Sequence, residues 1–217
     1  MVSLIKKKNS KLIAHQVISL EIEALKLLKK SLNRNFDKAV NAIVNCQSKI
    51  IFCGVGKSGL IASKIASTMS SVGCPAFSLS ANDCLHGDLG SISSKDLLIL
   101  ISNSGKSKEL LPIIKFANRN KIKLIGIVSE KNSSLYKGSD IQILLPEVKE
   151  AGLGIVPTSS TSVQLAVGDA LAVSALNKKK FSKYDFSKLH PGGNLGKQLK
   201  TVEELMVTKN KIPFINE

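Results

Sequence analysis

The chain has no tryptophan and few other aromatic residues, which make up only 4% of its 217 residues. Arginine is scarce as well, since Arg34 and Arg119 are the only arginines among 31 basic residues. Proteins that read nucleic acids depend on arginine for bidentate contacts and on aromatic rings for base stacking. We therefore expect no nucleic-acid partner, and we expect the net charge of +15 to attract small anions.

Long apolar runs and paired cysteines are also missing. No run approaches the ~20 apolar residues of a membrane-spanning helix, and the lysine-rich start lacks the apolar stretch of a signal peptide. The four cysteines, Cys46, Cys53, Cys74 and Cys84, form no C-x-x-C pair. They therefore predict neither a zinc site nor a disulfide framework. We expect a cytoplasmic protein with reduced thiols and no membrane partner.

Short apolar runs alternate with helical patterns along most of the chain. The runs predict strands over residues 49–53, 77–80, 97–101, 122–128 and 140–145. Alternation of strands and helices specifies an α/β fold, here a doubly wound, five-stranded parallel sheet flanked by helices.

Two helices are predicted ahead of the first strand, within residues 1–48. In the first of them, apolar residues recur at alternating intervals of four and three: Ile13, Val17, Leu20, Ala24 and Leu27. This spacing is typical of a narrow packing seam. Because a seam of this kind must be covered, we expect these helices to pack on the following domain or on a partner subunit.

The loop after the predicted strand 97–101 has the composition of an anion site. Three serines, an asparagine and a glycine lie within six residues: Ser102, Asn103, Ser104, Gly105 and Ser107. Helical spacing predicts that a helix begins near Ser107, and the free N–H groups and dipole of a helix N-terminus attract anions. We favour a phosphate site; the alternative is an ordinary capped helix start.

A second turn, Gly54-Val55-Gly56-Lys57-Ser58-Gly59, follows the first strand with G-x-G-x-x-G spacing. A dinucleotide site would also need an acidic residue about 20 positions on, and Asp83 comes slightly late, so NAD is the second choice. The turn places Gly56, Lys57 and Ser58 at the carboxyl end of a strand, where open α/β sheets bind ligands. The alternative is a solvated turn lysine.

Hydroxyl residues also open the last long helix. Glu150 begins a glycine-containing turn, and Pro157 precedes five hydroxyl residues in succession: Thr158, Ser159, Ser160, Thr161 and Ser162. This segment predicts a second site for an anion or a sugar hydroxyl. The alternative is helix capping that faces solvent.

Six segments occur together in one order. They are Gly56-Lys57-Ser58-Gly59, His86-Gly87-Asp88-Leu89-Gly90, Ser102-Asn103-Ser104-Gly105, Pro157-Thr158-Ser159-Ser160-Thr161, Gly168-Asp169-Ala170-Leu171-Ala172 and His190-Pro191-Gly192-Gly193. Together they resemble the sugar isomerase (SIS) domain of the D-arabinose 5-phosphate isomerases, over residues 18–206. The two histidine segments are more specific to this branch than the serine-rich loop.

The resemblance implies interconversion of D-ribulose 5-phosphate and D-arabinose 5-phosphate, which feeds 3-deoxy-D-manno-octulosonate (Kdo) and lipopolysaccharide biosynthesis. It also implies a flavodoxin-like sheet, a homotetramer, and no metal or organic cofactor. The SIS domain would span residues 49–200, and residues 201–217 resemble a linker leading into CBS domains. The alternatives are a non-catalytic sugar-phosphate sensor and an isomerase for another phosphosugar. The sensor is disfavoured, because residues 1–48 show no pattern of a DNA-recognition helix.

Carried over by motif, the resemblance implies five catalytic residues: Lys57, His86, Glu109, Glu150 and His190. With the turns described above, the predicted binding residues are Gly56, Ser58, Ser102, Asn103, Ser104, Ser107, Thr158, Ser159 and Ser160. Aldose–ketose isomerisation needs a base near neutral pKa, such as a histidine or a glutamate whose pKa is raised by burial. We favour Glu150, because the first helical turn would stabilise the Glu109 carboxylate without any catalytic role.

The chain departs from the family pattern in three places. Lys106 stands where the family usually has an acidic residue, and residues 81–84 replace a familiar Pro-Gly-Glu-Ala ahead of His86. The turn after Glu150 is one residue shorter than the family pattern. These departures bear on substrate preference more than on reaction type. His190 follows the last long helix in a turn separated from the sheet, so we expect His190 or His86 to be supplied by a neighbouring subunit.

Overall fold

The computed structural model describes residues 9–191 together with residues 202 and 206. The strands are β1 (Ile50–Gly54), β2 (Ala76–Ser80), β3 (Leu97–Ile101), β4 (Lys123–Val128) and β5 (Ile141–Leu144). The helices are α1 (Ser10–Ser31), α2 (Arg34–Val44), α3 (Lys57–Ser71), α4 (Ala81–Cys84), α5 (Leu110–Arg119), α6 (Ser134–Gly138), α7 (Gly152–Ile155), α8 (Ser159–Lys178) and α9 (Lys183–Leu189). The predicted domain end at residue 200 lies outside the described residues, as does the predicted linker at 201–217 apart from residues 202 and 206.

The five strands form one parallel sheet in the order β2-β1-β3-β4-β5. The chain passes from β1 outward to β2, then returns beside β1 as β3 and continues to the other edge. The predicted doubly wound, five-stranded parallel sheet is therefore confirmed. Its strand order reverses between β1 and β3, and in sheets of this type ligands bind at the carboxyl ends of the strands at that point.

Successive residues of the central strands enter two separate apolar cores. Ile99 and Ile101 of β3 pack with α1, α2, α3 and α8, whereas Leu98 and Leu100 pack with α4, α5 and α6. Every residue of β1 and β3 is buried, as expected of strands covered on both faces. None of the helices among the described residues is long and apolar enough to cross a membrane.

The α1 helix buries a different set of residues from the predicted seam. Ala24 and Leu28 are buried, whereas Ile13 and Leu27 are 44% and 45% exposed. Within one chain the buried residue is therefore Leu28, whereas Ile13 and Leu27 stay exposed, and their packing on a partner subunit stays a prediction. Each position turns a helix by about 100°, so choosing Leu27 in place of Leu28 moves the seam well around the helix. Apolar side chains elsewhere on α1 are exposed in the single chain: Leu12, Ile18, Ile22 and Leu25.

An ion pair lies at the edge of the sheet where the strands begin. The Asp96 side chain is buried and accepts hydrogen bonds from Lys49 Nζ at 3.0 and 3.2 Å and from the Ser93 N–H at 2.7 Å. Burial alone would raise the pKa of Asp96, but the hydrogen bonds from Ser93 and Lys49 lower it to about 2.

The Asp96→Asn variant should lower the free energy of unfolding by about 2 kcal/mol at pH 7. The folded-state pKa lies below the ordinary value of 3.8, so the stabilisation is complete above about pH 4 and is lost as the pH falls towards 2. Urea unfolding at pH 7 and pH 3 should therefore show a smaller difference between the two proteins at the lower pH. Asp37→Asn, at an exposed position on α2, is the control. A pH-independent difference would contradict this account.

Candidate active site

The carboxyl ends of β1 and β3 face a cavity of about 450 Å³. Its walls come from the β1–α3 turn, the β3–α5 loop, the turn around α7 and the start of α8. The lining residues are Val55, Lys57, Ser58, Asn103, Glu150, Gly154, Ile155, Pro157, Ser160, Thr161 and Gln164. Because this cavity lies where the strand order reverses, we take it as the candidate active site.

The β1–α3 turn positions Lys57 at the cavity. Gly56 has a φ of +58°, and its carbonyl accepts hydrogen bonds from the Gly59 and Leu60 N–H groups at 3.0 and 3.2 Å. A Cβ on Gly59 would lie 2.8 Å from the Gly54 carbonyl oxygen, so the turn admits no side chain there. Lys57 is the first residue of α3 and is exposed. The turn thus presents an ammonium group and the Ser58 side chain to the cavity.

The serine-rich loop after β3 is held by its own side chains. Ser102 is buried, and its Oγ accepts a hydrogen bond from the Gly105 N–H at 3.0 Å and lies 3.3 Å from Ser107 Oγ. Gly105 has a φ of +64°, and a Cβ there would lie 2.3 Å from Ser133 Oγ. Asn103 accepts a hydrogen bond from Ser129 Oγ at 2.6 Å and lines the cavity. The loop is therefore shaped before any ligand binds.

The helix after this loop begins later than predicted. It begins at Leu110, because the Ser107 carbonyl accepts the Leu110 N–H at 3.2 Å and closes a separate turn ahead of α5. The Leu110 and Leu111 N–H groups are paired with the Ser107 and Lys108 carbonyls at 3.2 Å each, so these two groups are not free to bind an anion. Glu109 is the N-cap residue of α5, makes no capping hydrogen bond with its side chain, and does not line the cavity.

Glu150 is fixed by the N-terminus of α8. Its Oε2 accepts hydrogen bonds from the Thr158 N–H at 2.9 Å, Thr158 Oγ1 at 3.2 Å and the Ser160 N–H at 3.3 Å. Burial raises the pKa of Glu150, but hydrogen bonds from the Ser160 side chain and from the Thr158 and Ser160 backbone lower it more. The net shift is downward from 4.5. The expectation of a raised pKa was wrong, because it took account of burial and not of the α8 N–H groups.

The geometry therefore gathers five predicted site residues around one cavity: Lys57, Ser58, Asn103, Glu150 and Ser160. Thr158 is connected to them through Glu150. Ser159 is fully buried and does not line the cavity. Among the lining residues, an ammonium group, an ionised carboxylate and several neutral hydrogen-bonding groups are available to one small ligand.

Neither predicted histidine lines the cavity of its own chain. His86 is exposed in the turn after α4. His190 caps the end of α9, where its Nδ1 lies 2.8 Å from the Phe186 carbonyl and its ring stacks on Phe186 at 3.9 Å. The segment leading into α9 packs against the far end of α3, since the Phe181 ring lies beside Gly73. His190 thus lies beyond the end of α8 that is remote from the cavity.

Lys106, the departure noted in the serine-rich loop, forms an ion pair with Glu130. Its charge is therefore partly neutralised by a residue of the loop after β4.

Gln164 is a lining residue that the sequence motifs did not predict. Gln164 lies four residues after Ser160 on α8, so both fall on one helix face. Once Ser160 is placed at the cavity, this spacing identifies Gln164 as its neighbour one turn further along.

Residues 43–174 match the SIS domain family. The chain belongs to the SIS domain family. It is 38% identical to the uncharacterized protein RP505 of Rickettsia prowazekii (strain Madrid E) over 214 residues, covering 99% of this chain and 67% of that protein. It is 41% identical to the arabinose 5-phosphate isomerase KdsD of Yersinia pestis over 203 residues, covering 93% of this chain and 62% of KdsD.

A solved structure in this family has a similar fold. The c3406 protein of E. coli CFT073, solved in complex with arabinose 5-phosphate, superimposes with a TM-score of 0.80 at 36% sequence identity. The match covers 84% of this chain and 99% of that one. This SIS domain chain therefore corresponds to the whole of that solved chain, whereas it spans 62% of the length of Yersinia pestis KdsD.

Proposed function

We propose that this SIS domain protein interconverts D-arabinose 5-phosphate and D-ribulose 5-phosphate. The observation that carries the proposal is that Lys57 and Glu150 line one cavity together with Asn103 of the serine-rich loop. The similarity to KdsD, and to a protein solved with arabinose 5-phosphate, points to this substrate.

The proposed chemistry assigns each group to the part of the substrate that it suits. The Ser102–Ser107 loop holds the phosphate, with hydroxyl and backbone N–H donors, and Gly56 and Ser58 border it from the next turn. The Oε2 atom of the Glu150 carboxylate accepts three hydrogen bonds, and in this scheme Oε1 takes the proton from C2 of the aldose. The same carboxyl group returns the proton to C1, while a proton moves from the C2 hydroxyl to the C1 oxygen, giving the ketose.

Lys57 has the electrostatic task in this scheme. Removal of the C2 proton places negative charge on the carbonyl oxygen of the enediol intermediate, and a nearby ammonium group stabilises that charge. Arabinose 5-phosphate closes into a furanose ring, so a histidine, His86 or His190, opens the ring before proton transfer. Neither a metal nor an organic cofactor takes part in this scheme.

The remaining parts of the proposal concern the setting of the enzyme. We infer a cytoplasmic homotetramer with sites shared between subunits, whose product feeds Kdo and lipopolysaccharide biosynthesis. The exposed apolar residues of α1 support contact between copies of the chain.

The experiment for the function measures ribulose 5-phosphate formed from arabinose 5-phosphate by the purified chain. We expect turnover that is absent from the Lys57→Ala variant, and much slower turnover of ribose 5-phosphate and glucose 6-phosphate. Binding of arabinose 5-phosphate by calorimetry without any turnover would instead favour a sugar-phosphate sensor.

Within the serine-rich loop, Ser104→Ala should raise the KM for arabinose 5-phosphate about tenfold with a smaller effect on kcat. Ser104 is half-buried, and its Oγ accepts a hydrogen bond from the Lys106 N–H at 3.3 Å, so it supports the loop and offers its own proton to phosphate. Steady-state kinetics test this, with the exposed Ser94→Ala at the other edge of the sheet as control. An unchanged KM would remove Ser104 from the phosphate site.

A further inference from the structure

Gln164 combines deep burial with an unused hydrogen-bonding capacity. It lies in the second turn of α8, is 1% exposed and lines the candidate active site. Within the described part of the chain, neither its Oε1 nor its Nε2 has a hydrogen-bond partner. Buried amides in folded proteins are normally paired, because an unpaired one loses its bonds to water without replacement. The described part of the fold therefore gives no reason for an amide at this position.

The neighbours of Gln164 indicate which part of a ligand it would meet. Ser160, one helical turn earlier, holds Glu150 through its N–H group. Gln164 thus lies one turn deeper along α8 than the carboxylate that is proposed to move the proton. Val163 and Val167, adjacent on α8, are buried in the apolar core. Gln164 is consequently the polar residue beside the cavity at this depth of the helix. Its Oε1 and Nε2 atoms are covered in this structure, so the side chain must turn towards the cavity to meet a ligand.

The chemistry of an amide selects one class of partner. Lys57 and the serine-rich loop already provide the positive charge and the N–H donors that a phosphate requires. A neutral amide offers one acceptor and two donor hydrogens, and a sugar hydroxyl also both donates and accepts. A hydroxyl therefore satisfies Oε1 and Nε2 in a way that neither a phosphate nor a carbonyl oxygen can.

We propose that Gln164 is a specificity-determining residue that binds a sugar hydroxyl at C3 or C4 of the substrate. This inference rests on the proposed isomerase function. With C1 and C2 at Glu150 and the phosphate at the serine-rich loop, the C3 and C4 hydroxyls are the polar groups between the two ends. Binding one of them pairs the buried amide and discriminates against substrates with the wrong configuration at that carbon.

The test compares the wild-type protein with Gln164→Leu, which keeps the approximate volume of the side chain and removes the amide. We expect kcat/KM for arabinose 5-phosphate to fall roughly 10- to 100-fold, because the substrate hydroxyl loses its partner. The melting temperature of the ligand-free protein should not fall, since the substitution removes an unpaired buried group. Gln47→Leu, the same change at an exposed position at the other edge of the sheet, is the control.

Substrate analogues separate a direct contact from a general disturbance. The wild-type protein should discriminate against 3-deoxy- or 4-deoxy-arabinose 5-phosphate, and Gln164→Leu should lose that discrimination for one of the two. If the hydroxyl is that at C3, the preference over lyxose 5-phosphate, the C3 epimer, should shrink as well. Unchanged discrimination with both deoxy analogues would overturn the proposal, as would a Gln164→Leu protein with wild-type kcat/KM.

Failure of the proposed function gives a different result. If the wild-type protein does not turn over arabinose 5-phosphate, calorimetry of the same sugar phosphate with both proteins decides the matter. Binding that is at least tenfold weaker in Gln164→Leu supports the contact in a non-catalytic site. Equal affinity, or no binding by either protein, overturns it.

Discussion

The Glu150→Gln variant should lose isomerase activity by at least about 10³-fold in kcat, while binding of arabinose 5-phosphate stays measurable. Glutamine keeps the shape of the side chain, and its Oε1 can still accept the Thr158 and Ser160 hydrogen bonds that now reach the carboxylate. What it cannot do is take up a proton from carbon. NMR in deuterium oxide should therefore show no exchange of the substrate C2 proton with solvent.

A matched control for this variant is Glu147→Gln, at an exposed position three residues earlier that does not line the cavity. It should exchange the C2 proton at the wild-type rate. Exchange at that same rate in Glu150→Gln would show that Glu150 is not the base, and Glu109 or a histidine would become the better candidate.

The lowered pKa of Glu150 also predicts how activity depends on pH. A carboxylate whose pKa lies below 4.5 in the free protein is ionised at every pH above that value. If Glu150 is the base, kcat/KM should keep its value as the pH falls from 7 to 5 and decline only below about pH 4.5. If kcat/KM of the wild-type protein instead declines around pH 6, and Ser104→Ala shows the same decline, the base is a histidine.

The sheet could be predicted from the sequence because its strands are buried on both faces. A strand such as Leu97–Ile101 is a continuous apolar run, and polar turns mark its ends, so its position and parallel pairing follow from pattern alone. Lys57 and Asn103 follow β1 and β3, so their turns could be predicted to lie together at the carboxyl-end edge of the parallel sheet. Open α/β sheets bind ligands at that edge, which is why the candidate site could be expected there.

The hydrogen bonds that set the state of Glu150 could not be predicted in the same way. They join residues eight and ten positions apart across a turn in which Leu153 has a φ of +63°. No periodicity in the sequence predicts that a leucine between two glycines adopts a left-handed backbone conformation. The predicted direction of the Glu150 pKa shift was therefore wrong, although Glu150 does line the candidate site.

The α1 helix illustrates a second limit. Apolar residues such as Ile13, Ile18 and Ile22 lie around much of its circumference, so several seams fit the spacing equally well. Which one packs on α8 depends on the shape of α8, which the α1 sequence does not contain. The remaining apolar residues of α1 are not covered by any other part of the chain that the structure describes.

Because the two histidines lie away from the cavity, the second prediction with a large effect concerns sites shared between subunits. Ser160 lines the cavity, and Lys178 ends the same helix about 27 Å further along. At that end the Lys179 ammonium group contacts the Gly73 carbonyl. The seven-residue helix α9 comes next in the chain, and His190 follows its last residue. A helix of this length spans only about 10 Å, so His190 does not return to its own cavity. If His190 acts on the substrate, it acts in the site of a neighbouring subunit.

Mixed assemblies should therefore regain activity that neither parent has. We expect Lys57→Ala, unfolded and refolded together with His190→Ala or with His86→Ala, to recover up to about a quarter of wild-type activity in one of the two mixtures. A shared site is intact when its Lys57 comes from one parent and its histidine from the other, each with a probability of about one half. Coupled assays of ribulose 5-phosphate formation measure the recovery, and native mass spectrometry confirms that hybrids have formed.

The control mixture combines Lys57→Ala with Glu150→Ala. These two residues line the same cavity of one chain, so every site in a hybrid lacks one of them and the mixture should stay inactive. Recovery in this control would mean that the two residues act in different sites, contrary to the geometry described above. Both histidine mixtures remaining as inactive as their parents, with hybrids present, would mean that each site is built within one chain. His190 would then have to reach the cavity by a rearrangement of the segment around α9, and His86 by a rearrangement of the turn after α4.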